Sequence, residues 1–377
     1  MVYPFRFRRS RLPFPIETKY KPMALTWKNS TIVFSEGAQL VAYIHSAGKW
    51  TRNETSGTSP QDFIVCTAHV INDKMYVIDA PMGPDATLIY SLDLNNWTWN
   101  ILNPSGTPPS GHFGLSSWVY QGNIYCFCWR NGLFCYNILN NSWEWPKHKG
   151  DVPSPRIYQS TVILDDTVFL FGGRTENVVH CNDLYTFNMV NMLWERVHND
   201  TSKSVVPSMA RHIYSYGTVI YRSTLTIISE SIAVLINPCK ETSTCWTLNL
   251  QKAKQLMDPS SIWTKVRDDL PAGFDHTTLL EPMSKNLWIL GYLAEGVKGC
   301  ETISNVLKIP TTQPTLQDIA IDLAARTICP HDPKLKLPGR LRKEIEDHSN
   351  DIGVECLCSK NKYEPGMIAP KAKRRRK

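Results

Sequence analysis

The stretch "FLFGGRTENVVHCNDLYTFNMVNMLWERV", residues 169–197, decides how the rest of the chain is read. An apolar run ends in Gly172–Gly173, a polar loop follows, then "NDLYTFN", and Trp194 stands 21 residues after the second glycine. A run of four consecutive apolar residues, Val168–Phe171, bounded by glycine is the pattern of a strand covered on both faces. The two glycines permit close backbone packing, the second run is another strand, and the tryptophan supplies a large side chain to fill a space between layers.

The pattern is periodic. Counterparts of "TVFLF" are "TIVFS" (31–35), "KMYVI" (74–78), "NIYCF" (123–127), "TLTII" (224–228) and "NLWIL" (286–290). Centred on Ile32, Tyr76, Tyr125, Phe169, Thr226 and Trp288, they are spaced by 44, 49, 44, 57 and 62 residues. Trp50, Trp97, Trp143, Trp194 and Trp263 follow in step, each preceded by a second strand pattern such as "LIYSLDLNNW" or "LFCYNILNNSW". The strands come too often for intervening helices, and Asn-rich turns separate the third strand of each unit from a fourth. A four-stranded antiparallel sheet cannot bury both faces alone, whereas six such sheets packed radially around an axis can. The expectation is an all-β propeller over residues 21–310, of six four-stranded blades. The sixth unit lacks a closing tryptophan, and its outer strand is expected from the basic N-terminal segment, residues 1–20.

The order "FGG", "NDLYTFN", Trp194 resembles the kelch repeat, with Gly172, Gly173 and the tryptophans as its structural residues. Elsewhere the diglycine is replaced by "SEG", "DAP", "CWR", "SES" and "GYL". The resemblance implies a β-propeller whose loops present a binding face.

Composition agrees with a large buried core: 42% hydrophobic, 20% charged, with 12 Trp and 15 Tyr. The N-terminus is basic and broken by prolines with no apolar run after it, so no secretory signal is expected. No apolar window reaches the length of a membrane span. The eleven cysteines are then read as free thiols in a reducing compartment, cytoplasmic or nuclear. Cys126 and Cys128 fall on one face of a strand and read as packing; Cys356 and Cys358 lack the second matched pair of a zinc site. Charge is uneven: residues 1–20 carry +4, 21–333 carry −4 and 334–377 carry +7. The final "KAKRRRK" reads as a nuclear-import tag, a nonspecific nucleic-acid contact or a solvated disordered tail.

No phosphate-binding loop, Ser-His-Asp set or metal-binding motif stands out, so neither catalysis nor a cofactor or metal is expected. His69, His112, His212 and His276 recur near the first strand of successive units, as architecture-bound residues would. The candidate binding face lies on loops after the second strand and before the first, with Trp129, Arg130, Arg156, Arg174 and Arg211 as candidates. Guanidinium groups there would suit a carboxylate or acidic peptide; the alternative is that each pairs with a neighbouring acid.

After "VLKIP" the texture changes. Leu316, Ile319, Ala320, Leu323, Ala324, Thr327 and Ile328 form one apolar helical stripe, with a capping pattern at Thr315–Asp318 and a stop at Pro330. A second short helix is expected beyond Pro338. Residues 314–348 thus read as two amphipathic helices, and 349–377 as a basic disordered tail. The order Leu316, Ala320, Leu323 or Ala324, then Leu337-Pro338-Gly339-Arg340-Leu341, resembles the elongin-C-binding box of SOCS-box and VHL-box proteins. That resemblance implies elongin C, elongin B and a cullin as partners, and a substrate-recognition subunit of a ubiquitin ligase. Two other readings stay open: a kelch scaffold whose helices cap the propeller, and a nuclear or chromatin-associated kelch protein. In none of them is a membrane a partner, or nucleic acid beyond the basic tail.

Overall fold

The structure is a computed structural model. It describes residues 8–10, 23–35, 39–60, 66–79, 87–109, 115–128, 132–175, 177, 179–199, 206–207, 223–237, 242–271, 273–281, 286–293, 306–310 and 343. The expected helices at 314–348 fall outside these residues apart from Lys343, and the expected tail at 349–377 falls outside them altogether.

The described strands form six sheets, each with an antiparallel core of four strands, and one two-stranded ribbon. The first sheet is Met23–Trp27, Ser30–Ser35, Gln39–Ile44 and Lys49–Arg52, paired in chain order. The second, third and fourth repeat this scheme between Cys66 and Leu102, Ser116 and Glu144, and Ser160 and His198. The fifth runs from Thr224 to Pro271. Innermost strands touch in ring order, Met23–Trp27, Cys66–Ile71, Ser116–Tyr120, Ser160–Leu164, Thr224–Ser229 and Gly273–Leu280, and the last returns to the first. This is the expected all-β propeller.

The expectation of six four-stranded blades needs correction. Five sheets are blades made from one continuous stretch; the remaining one is composite. Gly273–Leu280, Asn286–Leu293 and Val306–Pro310 supply three strands, and Arg8–Ser10 pairs antiparallel with the last, Arg9 opposite Leu307.

Alternation explains why the second strand of each blade is apolar throughout. In Thr167–Phe171, Val168 and Leu170 pack with Trp118 and Phe127 of the third sheet, while Phe169 and Phe171 pack with Leu225 and Leu235 of the fifth. In Lys74–Asp79, Met75 and Val77 face the first sheet, and Tyr76 and Ile78 face the third. Successive side chains leave a strand on opposite faces, so a sheet sandwiched by neighbours needs apolar residues at every position. Cys126 and Cys128 are packing residues in this sense, both fully buried in one cluster.

Two registers differ from the sequence reading. "TLTII" is the innermost strand of the fifth blade rather than the second, which is Ile232–Asn237. "SES" is accordingly the hairpin turn between them and not a diglycine counterpart. Two apolar runs stand side by side there, and only their inter-sheet contacts tell them apart. In the second blade the core tryptophan is Trp99, not Trp97. Gly48, Trp97, Asn141 and Met192 occupy the same left-handed turn position, at φ 61°, 59°, 48° and 55°, and the buried ring comes two residues later. Trp97 instead meets Trp27 edge to face at 5.9 Å. Trp50, Trp143 and Trp194 sit as expected, the last stacked on Phe187 at 4.4 Å. Ahead of Trp263 the turn is replaced by two short helices, Leu250–Lys254 and Pro259–Ile262. Asn249 and Asp258 cap them through side-chain oxygens that accept from the amides of Lys252 and Ser260.

A second repeat, not read from the sequence, binds consecutive blades. Chain leaving one blade runs as a strap along the outer edge of the next. Ser56–Gly57 pairs parallel with Thr98–Trp99, Lys149–Gly150 pairs parallel with Leu193–Trp194, and Ser105 bridges Ser142 in the same sense. The amides of Ser56, Ser105 and Lys149 donate to the carbonyls of Trp97, Asn141 and Met192 at 3.0 Å each. Gly57, Gly106 and Gly150 have φ of 83°, 86° and 91°, and a Cβ on each would lie 2.1, 2.6 and 2.2 Å from the carbonyl oxygen of Trp99, Trp143 and Trp194. Only glycine fits such an approach.

Gly150→Ala should therefore lower unfolding free energy by about 3 kcal/mol, combining the left-handed backbone cost with a displaced strap. Gly122→Ala, at φ 77° with nothing within 4 Å of the added carbon, should cost only about 1–2 kcal/mol. Urea titrations of both variants check this; equal losses would remove the strap from the argument.

Candidate functional site

On the candidate face, the fourth blade's diglycine of residues 172–173 turns the chain back over the approach to the innermost strand. Arg156–Ile157 pairs there with Arg174–Thr175 as a two-stranded ribbon. Gly173 has φ 93°, and a Cβ would lie 2.9 Å from the carbonyl of Ile157 and 3.0 Å from Gln159. The glycines therefore let the returning loop lie directly on residues 157–159. The amide of Gly172 donates to the carbonyl of Asp183, and Cys181 to the carbonyl of Gly173.

Arg156 is the anchor of this corner and is corrected as a ligand candidate. It is 1% exposed. Its Nη1 donates to Asp183 Oδ1 (2.5 Å) and the Gly172 carbonyl (3.0 Å), and its Nη2 to Asp183 Oδ2 (3.1 Å) and Ser154 Oγ (2.9 Å). Its Nε donates to the Ser154 carbonyl. All five guanidinium donors are used within the chain, leaving none for a ligand. Burial opposes the charge, but the bond to and attraction of Asp183 outweigh it and raise the pKa above the ordinary arginine value. Asp183, the partner that makes this arrangement possible, carries no sequence signal beyond its place in "NDLYTFN".

Arg174 is half-buried, with its guanidinium 5.9 Å from the centre of the Tyr158 ring. Tyr158 holds a left-handed backbone at φ 62°, a sparsely populated conformation for an aromatic residue. Beside it, Gln159 is buried, its Nε2 donating to Ser116 Oγ (3.0 Å) and the Phe127 carbonyl (2.9 Å) of the third blade. The Gln159 Oε1 is buried with no hydrogen-bond partner among the described residues. Tyr158 and Gln159 were not read as site residues. Their proximity to Arg174 depends on the ribbon, and the positive φ of Tyr158 leaves no trace in the sequence. Trp129, Arg130, Arg211, His112 and His212 lie outside the described residues, and His276 is placed only as part of the strand Gly273–Leu280.

Recurrent polar residues near the axis join blades rather than forming a reaction centre. His69 Nε2 lies 2.7 Å from Ser117 Oγ on the next blade, and Thr67 also bonds to Ser117. Thr226 and Thr278 hydroxyls meet at 2.6 Å across the fifth and composite sheets. Ser160 donates its hydroxyl to the Ser223 carbonyl. One group has the composition of a catalytic relay: Thr31 Oγ1 is 2.9 Å from His45 Nε2, and His45 Nδ1 is 2.9 Å from Glu281 Oε1. Thr31 is fully buried, and His45 lies against Tyr43 and Trp288 with ring centres 5.2 and 5.5 Å away. No substrate reaches a hydroxyl so placed. The group instead ties the first sheet to the composite one. Among the described residues no cluster of three or more His, Cys, Asp or Glu side chains is arranged to hold a metal ion. No helix among them is long and apolar enough to cross a membrane.

With this geometry in view, relationships to known proteins are informative. The family model described as the KLHDC2/KLHL20/DRC7 Kelch-repeats domain matches residues 35–228, just over half of the chain, and the chain belongs to this kelch-repeat family. Its propeller is accordingly a protein-interaction module rather than an enzyme. The chain is 24% identical over 200 residues to the mouse Kelch domain-containing protein 1, covering 43% of this chain and 48% of that protein. It is 30% identical over 156 residues to the Xenopus laevis Rab9 effector protein with kelch motifs, covering 37% and 42%. It is 24% identical over 155 residues to the Drosophila Leucine-zipper-like transcriptional regulator 1 homolog, covering 37% and 16%. The chain thus spans less than half the length of these relatives. The solved structure of YjhT superposes with a TM-score of 0.55 at 11% identity, covering 78% of this chain and 95% of that one, a likeness of fold.

Arg156→Met should cost about 3 kcal/mol or more, because the Asp183 carboxylate would be left without its partner; Arg174→Ala, at a half-buried side chain outside that pair, should cost less in parallel urea titrations. His69 supplies a pH test. Burial lowers its pKa to about 4. Above pH 6.5 the ring is neutral in both folded and unfolded chains, and its contribution is fully present. Between pH 6.5 and 4 the unfolded chain takes up the proton first, so stability falls by up to about 3 kcal/mol. A His69→Gln variant should lose less over that interval in parallel urea titrations.

Proposed function

We propose that this chain is a substrate receptor of a cullin–RING ubiquitin ligase. The propeller face holds a protein or peptide ligand, and residues 314–348 dock elongin C, bound to elongin B, as an amphipathic helix laid in a groove. In this reading the composite sheet acts as the sixth blade that closes the ring. The observation that carries the proposal is the box-like sequence that starts directly after Val306–Pro310, the last described strand. Leu316, Ala320, Leu323, Ala324, Leu337, Pro338 and Leu341 follow in an order that resembles an elongin-C-binding box, with Ala320 where such boxes usually carry Cys. Membership of the kelch-repeat family supports a role in recognition.

The mechanism is positional. The ligase's E2 enzyme supplies the chemistry, and this chain holds the substrate within its reach. On the face, Arg174 beside Tyr158 is the proposed contact for a carboxylate or acidic side chain, which a guanidinium recognises by its planar fork. Trp129, Arg130 and Arg211 complete the proposed face. The basic terminus "KAKRRRK" serves as a nuclear address for a protein that works in the cytoplasm and the nucleus.

A pull-down of the full chain with elongin B–elongin C tests the reading. Wild type should bind, and a Leu316→Asp, Leu323→Asp variant should lose more than about tenfold in affinity, since each charge would be buried unpaired. Unchanged circular dichroism in the variant is the control. Failure of the wild type to bind would sink the ligase role and leave the helices as a cap on the propeller.

A further inference from the structure

With Trp99 in the core of the second blade, Trp97 is left to account for. The left-handed turn position it occupies holds Gly48, Asn141 and Met192 in other blades, so the turn itself does not call for an indole. Trp97 stands half-buried at the seam with the first blade, its ring 5.9 Å from that of Trp27 and at 81° to it. Across this seam Trp27 Nε1 donates to Asp73 Oδ1 at 2.7 Å. The same kind of bond joins the third and fourth blades, where the Tyr120 hydroxyl donates to Asp166. There, however, Gln121 has the place that Lys28 holds beside Trp27, and Met192 has the place of Trp97. The cation and the second indole are therefore additions to a seam that is made elsewhere without them.

Lys28 shows what this corner accepts. Its ammonium lies 4.5 Å from the centre of the Trp27 ring and 3.3 Å from Asp73 Oδ1, and it donates to Asn95 Oδ1 at 3.4 Å. The bond from the Trp27 indole, and after it Lys28, outweigh desolvation and hold the Asp73 carboxyl below its ordinary range. Both members of the ion pair face solvent, with side-chain exposures of 56% for Lys28 and 43% for Asp73. A pair so exposed is weakly held, and a cation from outside competes for its place. A ring face beside a carboxylate favours arginine in that competition. A guanidinium stacks on aromatic faces, is more weakly hydrated than an ammonium, and bonds a carboxylate through two parallel donors. We propose that the Trp27–Trp97 corner is a binding site for an arginine side chain of a partner protein, with Lys28 holding the place while the partner is absent. The inference is independent of the elongin-box reading and of Arg174. It sets a second recognition point where an innermost strand ends, whereas the ribbon of the fourth blade precedes the start of one.

The test uses the full-length protein labelled with fluorotryptophan, whose indoles fluorine NMR resolves, with Trp27→Phe and Trp97→Phe variants to assign the two signals. Titration with the peptide acetyl-Gly-Arg-Gly-amide should shift both signals saturably. The same peptide with lysine should bind about threefold more weakly or less tightly still, and one with citrulline, uncharged but of similar shape, should leave both signals in place. Lys28→Asn tolerates the left-handed backbone at φ 51° and removes the competing charge, so it should tighten binding by about threefold or more. Asp73→Asn keeps an acceptor for the Trp27 indole and should weaken binding by about fivefold. The arginine and citrulline peptides are compared on wild-type protein, so that comparison decides the question even if a variant fails to fold. Equal binding of those two peptides would overturn the proposal in favour of plain stacking. Unchanged affinity in a folded Lys28→Asn variant would overturn it by showing that the peptide sits elsewhere. Signals that stay fixed at peptide concentrations up to about 10 mM would also overturn it, leaving the corner as a contact between blades.

Discussion

Everything in this molecule depends on a four-stranded sheet with two apolar faces. Such a sheet is stable only when both faces are covered, and here each neighbour covers one. Phe169 and Phe171 serve the interface with the fifth blade, while Val168 and Leu170 serve the interface with the third. The constraint passes from blade to blade and ends only where the last sheet meets the first. Leu279, Trp288 and Leu290 of the composite sheet pack there with Val33, Val41 and Tyr43 of the first.

Polar contacts refine what burial drives. Toward the axis, hydroxyl and imidazole groups link successive inner strands, as Thr67 and His69 do with Ser117 and as Thr226 does with Thr278. Such directional contacts hold adjacent sheets in one register, which nonspecific packing does not. The junction of chain ends adds the buried His45–Glu281 contact. A buried hydrogen-bonded contact adds little net stability once desolvation is counted, and its directionality bears on how the closing sheet aligns with the first. At the rim the straps do the complementary job. They pair outer strand edges and hold glycines against the tryptophan backbones, joining each of the first three blades to the next covalently and by hydrogen bonds.

Stability thus rests on faces, axis and rim among the described residues. The fourth blade shows how a loop is held. The diglycine and the Arg156–Asp183 pair fix the ribbon, and Arg174, Tyr158 and Gln159 are carried on it. The division of labour between two neighbouring arginines, one buried and saturated and the other against an aromatic ring, follows from a strand pairing that puts Ile157 opposite Arg174 and Arg156 opposite Thr175.

The propeller was legible from residues 169–197 and their counterparts, because a sheet buried on both faces needs apolar residues along its central strand and the apolar run recurs with a tryptophan in step in five of the units, even where the diglycine does not. Residues that carry one chemical signal were read correctly, such as Trp194 and the cysteines at 126 and 128. Those whose role depends on neighbours distant in sequence were not. Trp97 and Trp99 are interchangeable as letters, and only the left-handed turn at Trp97 separates them. Arg156 looked like a ligand group until Asp183, 27 residues away, took up its donors. The straps at Gly57, Gly106 and Gly150 answer to tryptophans of the following blade, outside any local pattern. The sequence by itself determined the unit, its periodicity and its need for partners on both faces, since these rest on composition and alternation along one strand. Only the tertiary structure decided which outer strands carry a strap, which of two adjacent apolar runs lies innermost in the fifth blade and what Arg156 binds, because those outcomes depend on distances between segments that the chain brings together only when the sheets are assembled.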